Sequence, residues 1–306
     1  MEANTRRGFF KNAAMAVTIP FLPSFRVLSS PKKYNPKLSF STLGCPNWSL
    51  ATIVKFAVKN KYQGVEIRTL EGELDLTKCS AFSAANIATT KRMVTDNNLS
   101  ITDIGSSASM HHTNAEVRKT NLDEAKRFID LAQNLASPYV RVFPNNLPPN
   151  ENPKTTLDVI INGLNDLAIY SKDSGVTVLM ETHGDVVKTD DIDYIMQQIP
   201  AANIGLVWDF FNMWIVTKEP PTQVFQRLKK YIKHVHVKDG SLVNGKEKYC
   251  LLGKGNAPIK EAMQLLQQDN YSGFYSFEWE KMWHKEIEEP EIAIPHYAKK
   301  IQNYLL

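Results

Sequence analysis

The sequence predicts an α/β fold, a (β/α)8 TIM barrel in a single domain over residues 38–306. Three observations predict it. Past residue 37, short β-branched or apolar runs alternate with amphipathic stretches, the pattern of parallel strands joined by crossover helices. Eight such units fill about 270 residues, the usual size of this barrel. Several runs are also nearly all apolar through the middle, Val176 to Met180 for example, as strands covered on both faces should be. The first strand is read at 38–45, with a helical pattern at 48–61. Strands at 64–69 and 100–107 follow, separated by a helix at 84–98. A long helix at 115–136 leads to a strand at 139–144, and a helix at 157–174 to a strand at 177–183. A short helix at 190–198 precedes the sixth strand at 204–212. A helix at 224–231 precedes the seventh strand, at 232–240. After an extra loop at 240–257 come a helix at 259–269, the eighth strand at 274–280 and a closing helix at 291–304. An open doubly wound sheet lacks support, because no GxGxxG follows the first strand.

Composition narrows the function classes. The chain has 306 residues, 43% hydrophobic and 22% charged, which excludes a disordered, collagenous or coiled-coil protein. No run of 18 apolar residues offers a transmembrane helix. Cys45, Cys79 and Cys250 form no CxxC pair, so neither a disulfide scaffold nor a cysteine zinc site is expected. A net charge of +4 is too small for a dedicated nucleic-acid surface.

Part of that charge belongs to the N-terminus. Residues 5–11 read Thr-Arg-Arg-Gly-Phe-Phe-Lys and precede a short apolar stretch over 13–23. A basic segment before a brief apolar one is the layout of an export signal, and paired Arg6 and Arg7 point to the twin-arginine route. Residues 1–30 are therefore expected to be a twin-arginine-like signal segment, delivering a folded protein through the twin-arginine translocase to the periplasm. No Ala-x-Ala cleavage site follows, which leaves open a leader retained as a membrane anchor; a basic amphipathic helix is the plain alternative. Removal near Ser30 takes away Arg6, Arg7, Lys11 and Arg26 against Glu2 and leaves +1.

In this barrel the active site is built at the C-terminal strand ends. The fifth strand ends Leu-Met-Glu181-Thr-His183, the sixth Val-Trp-Asp209-Phe-Phe-Asn212, the seventh His234-Val-His236-Val-Lys238-Asp239 and the eighth Phe-Glu278-Trp-Glu280. Four successive apolar strands thus end in carboxylates or imidazoles. Neighbouring strand ends lie about 5 Å apart, so four such groups can converge on one ion. Three carboxylates and an imidazole make a hard, oxygen-rich site that favours Mn²⁺, Mg²⁺ or Co²⁺ and also admits Zn²⁺. Singly, each residue has a plainer reading, as a rim residue, a helix cap or, for Asp239 before Gly240, a turn. His234 and His236 are read as facing opposite ways, one of them packed away from the site, and Glu280 as a substitute for Glu278.

At these residues the chain resembles the xylose isomerase-like TIM-barrel superfamily of sugar isomerases and epimerases, which includes ketose 3-epimerases, inosose isomerases and dehydratases and the endonuclease IV branch. The resemblance covers roughly residues 38–304. Weaker pieces are Gly64-Val-Glu66-Ile-Arg68 and Gly253-Lys-Gly255. It implies Glu181, Asp209, His236 and Glu278 as metal ligands, with Glu181 and Glu278 also moving protons. Asn212 stands where the family often has His, and the further ligands of the endonuclease branch are not evident beyond His111 and His112.

With a sugar carbonyl on the ion, Glu181 and Glu278 could take and return the adjacent proton through an enediolate. The result is isomerisation or epimerisation, or β-elimination where the neighbouring carbon bears a leaving group. Substrate-binding candidates are Arg68, His112, His183, Asn212, Lys238 and Trp48, the last one of several tryptophans placed after strand ends. Export, and the lack of a glycine-rich phosphate cradle apart from Gly253-Lys-Gly255, argue for a non-phosphorylated carbohydrate. The alternatives are a keto-glycoside lyase or hydrolase in the same site, an endonuclease IV-like nuclease, and a non-catalytic sugar-binding barrel. Homo-oligomers are compatible with all of these.

Overall fold

The computed structural model describes residue 34 and residues 36–305; the expected leader at 1–30 lies outside them. The elements run β1 (Lys37–Ser41), α1 (Leu50–Lys59), β2 (Gly64–Ile67), α2 (Ile87–Thr95), β3 (Ser100–Ser109), α3 (Ala115–Leu135), β4 (Tyr139–Phe143), α4 (Pro153–Tyr170), β5 (Thr177–Glu181), α5 (Thr189–Gln197), β6 (Ile204–Asp209), α6 (Phe210–Thr217), α7 (Pro221–Leu228), β7 (Ile232–Val237), β8 (Asp239–Val243), β9 (Lys246–Cys250), α8 (Ile259–Gln268), β10 (Phe274–Phe277) and α9 (Pro290–Lys300). Strands β1–β7 and β10 are parallel and close into one eight-stranded barrel in the order β1, β10, β7, β6, β5, β4, β3, β2. This is the (β/α)8 barrel expected from the alternation.

Alternation along each strand sends one set of side chains outward, under the helices, and the other into the barrel. Outward residues build the apolar shell. Trp208 lies against Phe225 of α7, and Phe277 stacks on Tyr297 of α9 with ring centres 4.6 Å apart. Helix α1 shows how a crossover is specified. Ser49 caps it by accepting from Thr52 N, and Leu50, Ile53, Val54 and Ala57 form its buried stripe. Full burial of an aliphatic side chain contributes about 1.5–3 kcal/mol, so truncating Ile53 to Ala would cost about 2–5 kcal/mol. Among the described residues no helix is long and apolar enough to cross a membrane. The three cysteines are free.

The strands expected at 38–45, 177–183, 232–240 and 274–280 end earlier, at Ser41, Glu181, Val237 and Phe277, and two further features differ from the sequence expectation. The sixth strand stops at Asp209 rather than at 212, because Asp209 turns the chain into α6 by accepting a hydrogen bond from Asn212 N at 2.8 Å. The extra loop at 240–257 is largely an antiparallel hairpin, β8–β9. Asp239 anchors it: its carboxylate accepts from the backbone N–H groups of Gly240, Gly253 and Gly255 at 2.8, 2.8 and 3.1 Å.

Candidate active site

Strand register brings the four strand-end residues to one level. Asp209 of β6 pairs with His236 of β7, and Glu278 just past β10 donates its backbone N–H to Val237 O. Thr182 ties two neighbouring ends together: its hydroxyl donates to Asp209 O and accepts from Asp209 N. One ligand atom each from Glu181, Asp209, His236 and Glu278 lies within 4.8 Å of all the others, and all four residues are buried. Ligands on opposite sides of a divalent ion with bonds of about 2.1–2.3 Å are little more than 4 Å apart, so the set fits one such ion. The donors, three carboxylate oxygens and an imidazole nitrogen, are those of a hard-cation site.

Lys238, 1% exposed, lies beside the cluster. Its ammonium is 2.8 Å from Asp209 Oδ2, 2.6 Å from Glu278 Oε2 and 2.8 Å from Glu280 Oε1. On the other side the Arg141 guanidinium is 3.2 Å from Glu181 Oε2. Burial alone would raise every carboxyl here. His236 and Lys238 reverse this for Glu278 and hold it well below the usual range. For Asp209, burial prevails and, with Glu278 and Glu181 nearby, pushes the carboxyl up to about 7 despite Lys238. Despite its burial, Glu278, Glu66 and Glu181 hold the His236 imidazole well above its usual range, so the carboxylates draw positive charge to this point, the situation in which a bound cation is favourable.

Beneath the cluster the barrel holds ionisable groups where aliphatic layers are usual. Glu66, Asp103 and His234 are buried there, together with the Ser276 hydroxyl. Glu66 Oε2 lies 3.0 Å from His234 Nε2, 3.1 Å from His236 Nε2 and 2.8 Å from Ser276 Oγ. The two histidines therefore face the same way, which corrects the expectation that they face opposite ways. Alternation has a period of two, so residues two apart share a face. His234 points inward one layer below His236. Gly105 makes room for the guanidinium groups: a Cβ there would stand 2.8 Å from Arg68 Cδ and 3.0 Å from Arg141 Nη2.

Above the cluster is a cavity of about 180 Å³, smaller than the pockets that hold drug-sized ligands. Its walls combine Arg68, Arg141, Glu181, His183, Glu278 and Glu280 with the apolar faces of Leu43, Phe143 and Trp283. The guanidinium of Arg68 donates from Nη2 to Ser107 Oγ at 2.9 Å, while Nη1 has no hydrogen-bond partner. His183 is fixed by a 2.9 Å contact between Nδ1 and Asn145 Oδ1. Of the other substrate-binding candidates, Lys238 sits at the cluster as described. Asn212 opens α6, where its backbone caps onto Asp209. His112 lies tilted against His111 with ring centres 4.0 Å apart, past the end of β3. Trp48 packs edge-on against Phe56 and lines a separate groove of about 600 Å³ with Asn47, Lys281 and Lys285. Sequence reasoning assigned no role to Arg141, Phe143 or Asp103. A signal existed for Arg141, a charge in the middle of the short apolar strand β4, where only an inward, paired position is tolerable, whereas Asp103 lies in a ten-residue strand already rich in serine.

The chain matches the family described as xylose isomerase-like TIM barrel over residues 54–299. It is 26% identical over 220 residues to the uncharacterized protein YihM of Escherichia coli strain K12, covering 69% of this chain and 60% of that protein. Inosose dehydratase of Clostridium beijerinckii is 26% identical over 165 residues, or 48% of this chain and 53% of that enzyme. The chain thus spans between half and two thirds of the length of these relatives. In fold it is similar to D-psicose 3-epimerase from Clostridium cellulolyticum H10, whose crystal structure was solved with D-tagatose. The TM-score is 0.70 at 15% identity, over 88% of this chain and 99% of the other.

Proposed function

Because the chain belongs to the xylose isomerase-like TIM-barrel family, we propose that it is a divalent-metal-dependent enzyme that moves a proton beside the carbonyl of a small, non-phosphorylated carbohydrate. The observation that carries this reading is the pair of glutamates flanking one imidazole. Glu181 Oε1 and Glu278 Oε2 each lie 3.2 Å from His236 Nδ1, on strands either side of the cluster. Glu181, Asp209, His236 and Glu278 would hold Mn²⁺, Mg²⁺ or Co²⁺, with Zn²⁺ also suited, and the ion would polarise the substrate carbonyl as a Lewis acid.

The protein's own groups do the rest. One glutamate takes the proton from the carbon beside the carbonyl and the other returns a proton from the far side. Arg141 steadies Glu181, and Lys238 steadies Glu278 together with Glu280. Arg68 and Lys238 place positive charge by the cavity, where negative charge builds on substrate oxygen. Return of the proton to the opposite face gives an epimer, and return to the neighbouring carbon gives an isomer. Loss of a β-hydroxyl gives a dehydration, a second reading favoured by the similarity to inosose dehydratase. The Gly253 and Gly255 amides are already bonded to Asp239, which supports a substrate without phosphate.

The test is proton exchange. Ketoses and keto-cyclitols incubated with Mn²⁺-loaded protein in deuterated water should gain deuterium beside the carbonyl, with an unsaturated product marking dehydration. Glu181→Gln and Glu278→Gln variants shown to retain metal should lose exchange by about 10²–10⁴-fold. Turnover without incorporation would overturn proton transfer as the mechanism. For localisation, export by the twin-arginine route follows as a proposal from Arg6 and Arg7. Replacing both by Lys should retain the protein in the cytoplasm, and unchanged fractionation would refute it.

A further inference from the structure

Glu66 occupies an unusual position. It is 0% exposed and gathers three donors on one oxygen, from residues 168 to 210 positions away in the chain. An ionised carboxylate can only accept, and Ser276 Oγ, 2.8 Å away, donates to it. Both histidines must therefore present Nε2–H to Glu66. For His236 this decides the use of the ring: with Nε2 bearing the proton and turned down to Glu66, Nδ1 is the nitrogen turned up among Glu181, Asp209 and Glu278. His234 has no second partner on Nδ1, so Glu66 holds it as well. Resting on the metal reading above, we propose that Glu66 is a positioning residue that fixes the Nε2–H tautomer and the ring plane of His236 and so aims Nδ1 at the divalent ion. His234 and Ser276 hold the Glu66 carboxylate in place. Such outer partners of ligating histidines typically contribute 10–100-fold in metal affinity.

Glu66, His234 and His236 by themselves are spaced closely enough to hold an ion of their own, which is the rival explanation. The test combines Mn²⁺ calorimetry with imidazole nitrogen NMR on the Zn²⁺-loaded protein. Wild type should bind one equivalent, with His236 protonated at Nε2 and metal-shifted at Nδ1. Glu66→Gln, whose amide presents hydrogens as well as an oxygen, should keep the one-equivalent stoichiometry, bind Mn²⁺ about 10–100-fold more weakly and lose the single His236 tautomer. Glu66→Asp should restore part of the affinity. A wild-type spectrum with the proton on Nδ1 overturns the proposal whether or not any variant folds. So does a folded Glu66→Gln protein with unchanged affinity and tautomer. Two equivalents in wild type falling to one in Glu66→Gln would replace it by a second metal site. No binding by wild type would instead sink the metal reading itself.

Discussion

Asp103 has both carboxylate oxygens buried and without a hydrogen-bond partner. Burial, with Glu66 nearby, pushes its pKa from 3.8 up to about 8, so the folded protein holds a proton there at neutral pH. The unfolded chain releases that proton above pH 4. Asp103 is thus tolerated at low pH and destabilises the fold progressively as pH rises from about 4 to about 8. Asp103→Asn removes the titration. Its stability advantage over wild type should grow across that window by on the order of 1 kcal/mol per pH unit, read by urea denaturation at pH 5 and pH 8; an advantage that does not grow would refute the assignment. Residues of this kind mark the limit of what a sequence discloses. Glu181 and Asp209 were legible because each ends an apolar run, while at the seventh and eighth strands the pattern left His234 or His236 and Glu278 or Glu280 open, and only the family resemblance chose between them. Glu66 and Asp103 sit inside their strands, and what they do depends on partners from other strands: for Glu66 these lie 168, 170 and 210 residues away.

Among the elements, α6 and the β8–β9 hairpin were not foreseen, and the hairpin is the instructive case. Its strands carry Lys246, Glu247 and Lys248 in succession and stay largely exposed, so no two-residue alternation betrays them. The barrel strands, covered by helices and therefore apolar, were legible one by one. The hairpin hangs on Asp239, and its Tyr249 packs against Phe211 and lies 5.9 Å from the Lys238 ammonium. Asp239→Ala deletes a charged acceptor shared by the backbone N–H groups of Gly240, Gly253, Gly255 and Ala257. It should cost about 2–4 kcal/mol and speed amide exchange at Gly253 and Gly255, with the barrel amides unchanged. Exchange unchanged at those two glycines would show that the loop is held by something else.

For the molecule as a whole, the ring of eight strands followed from the βα alternation, while its polar interior did not, since alternation says which residues point inward but not which partners meet there. On the metal reading proposed above, that interior would make stability depend on a bound ion. At 100 times its dissociation constant a bound ion stabilises the folded state by about 2.7 kcal/mol. For a chain of this size that is a melting shift of roughly 4–5 °C. Scanning calorimetry of chelator-treated protein, with and without added Mn²⁺, should show this gap, and a Glu181→Ala variant should have lost it. Identical melting curves would argue against an ion at the cluster. The hairpin has a different consequence. Its far end turns at Asn244 and Gly245, both at positive φ, with open space around Gly245 and with Leu242 and Val243 exposed, while its near end is clamped by Asp239. Length and composition can therefore change at the tip without disturbing the floor of the barrel. The fold thus carries a separable outer segment, whose tip a lineage, or an engineer, could lengthen or rewrite while keeping the barrel beneath it intact.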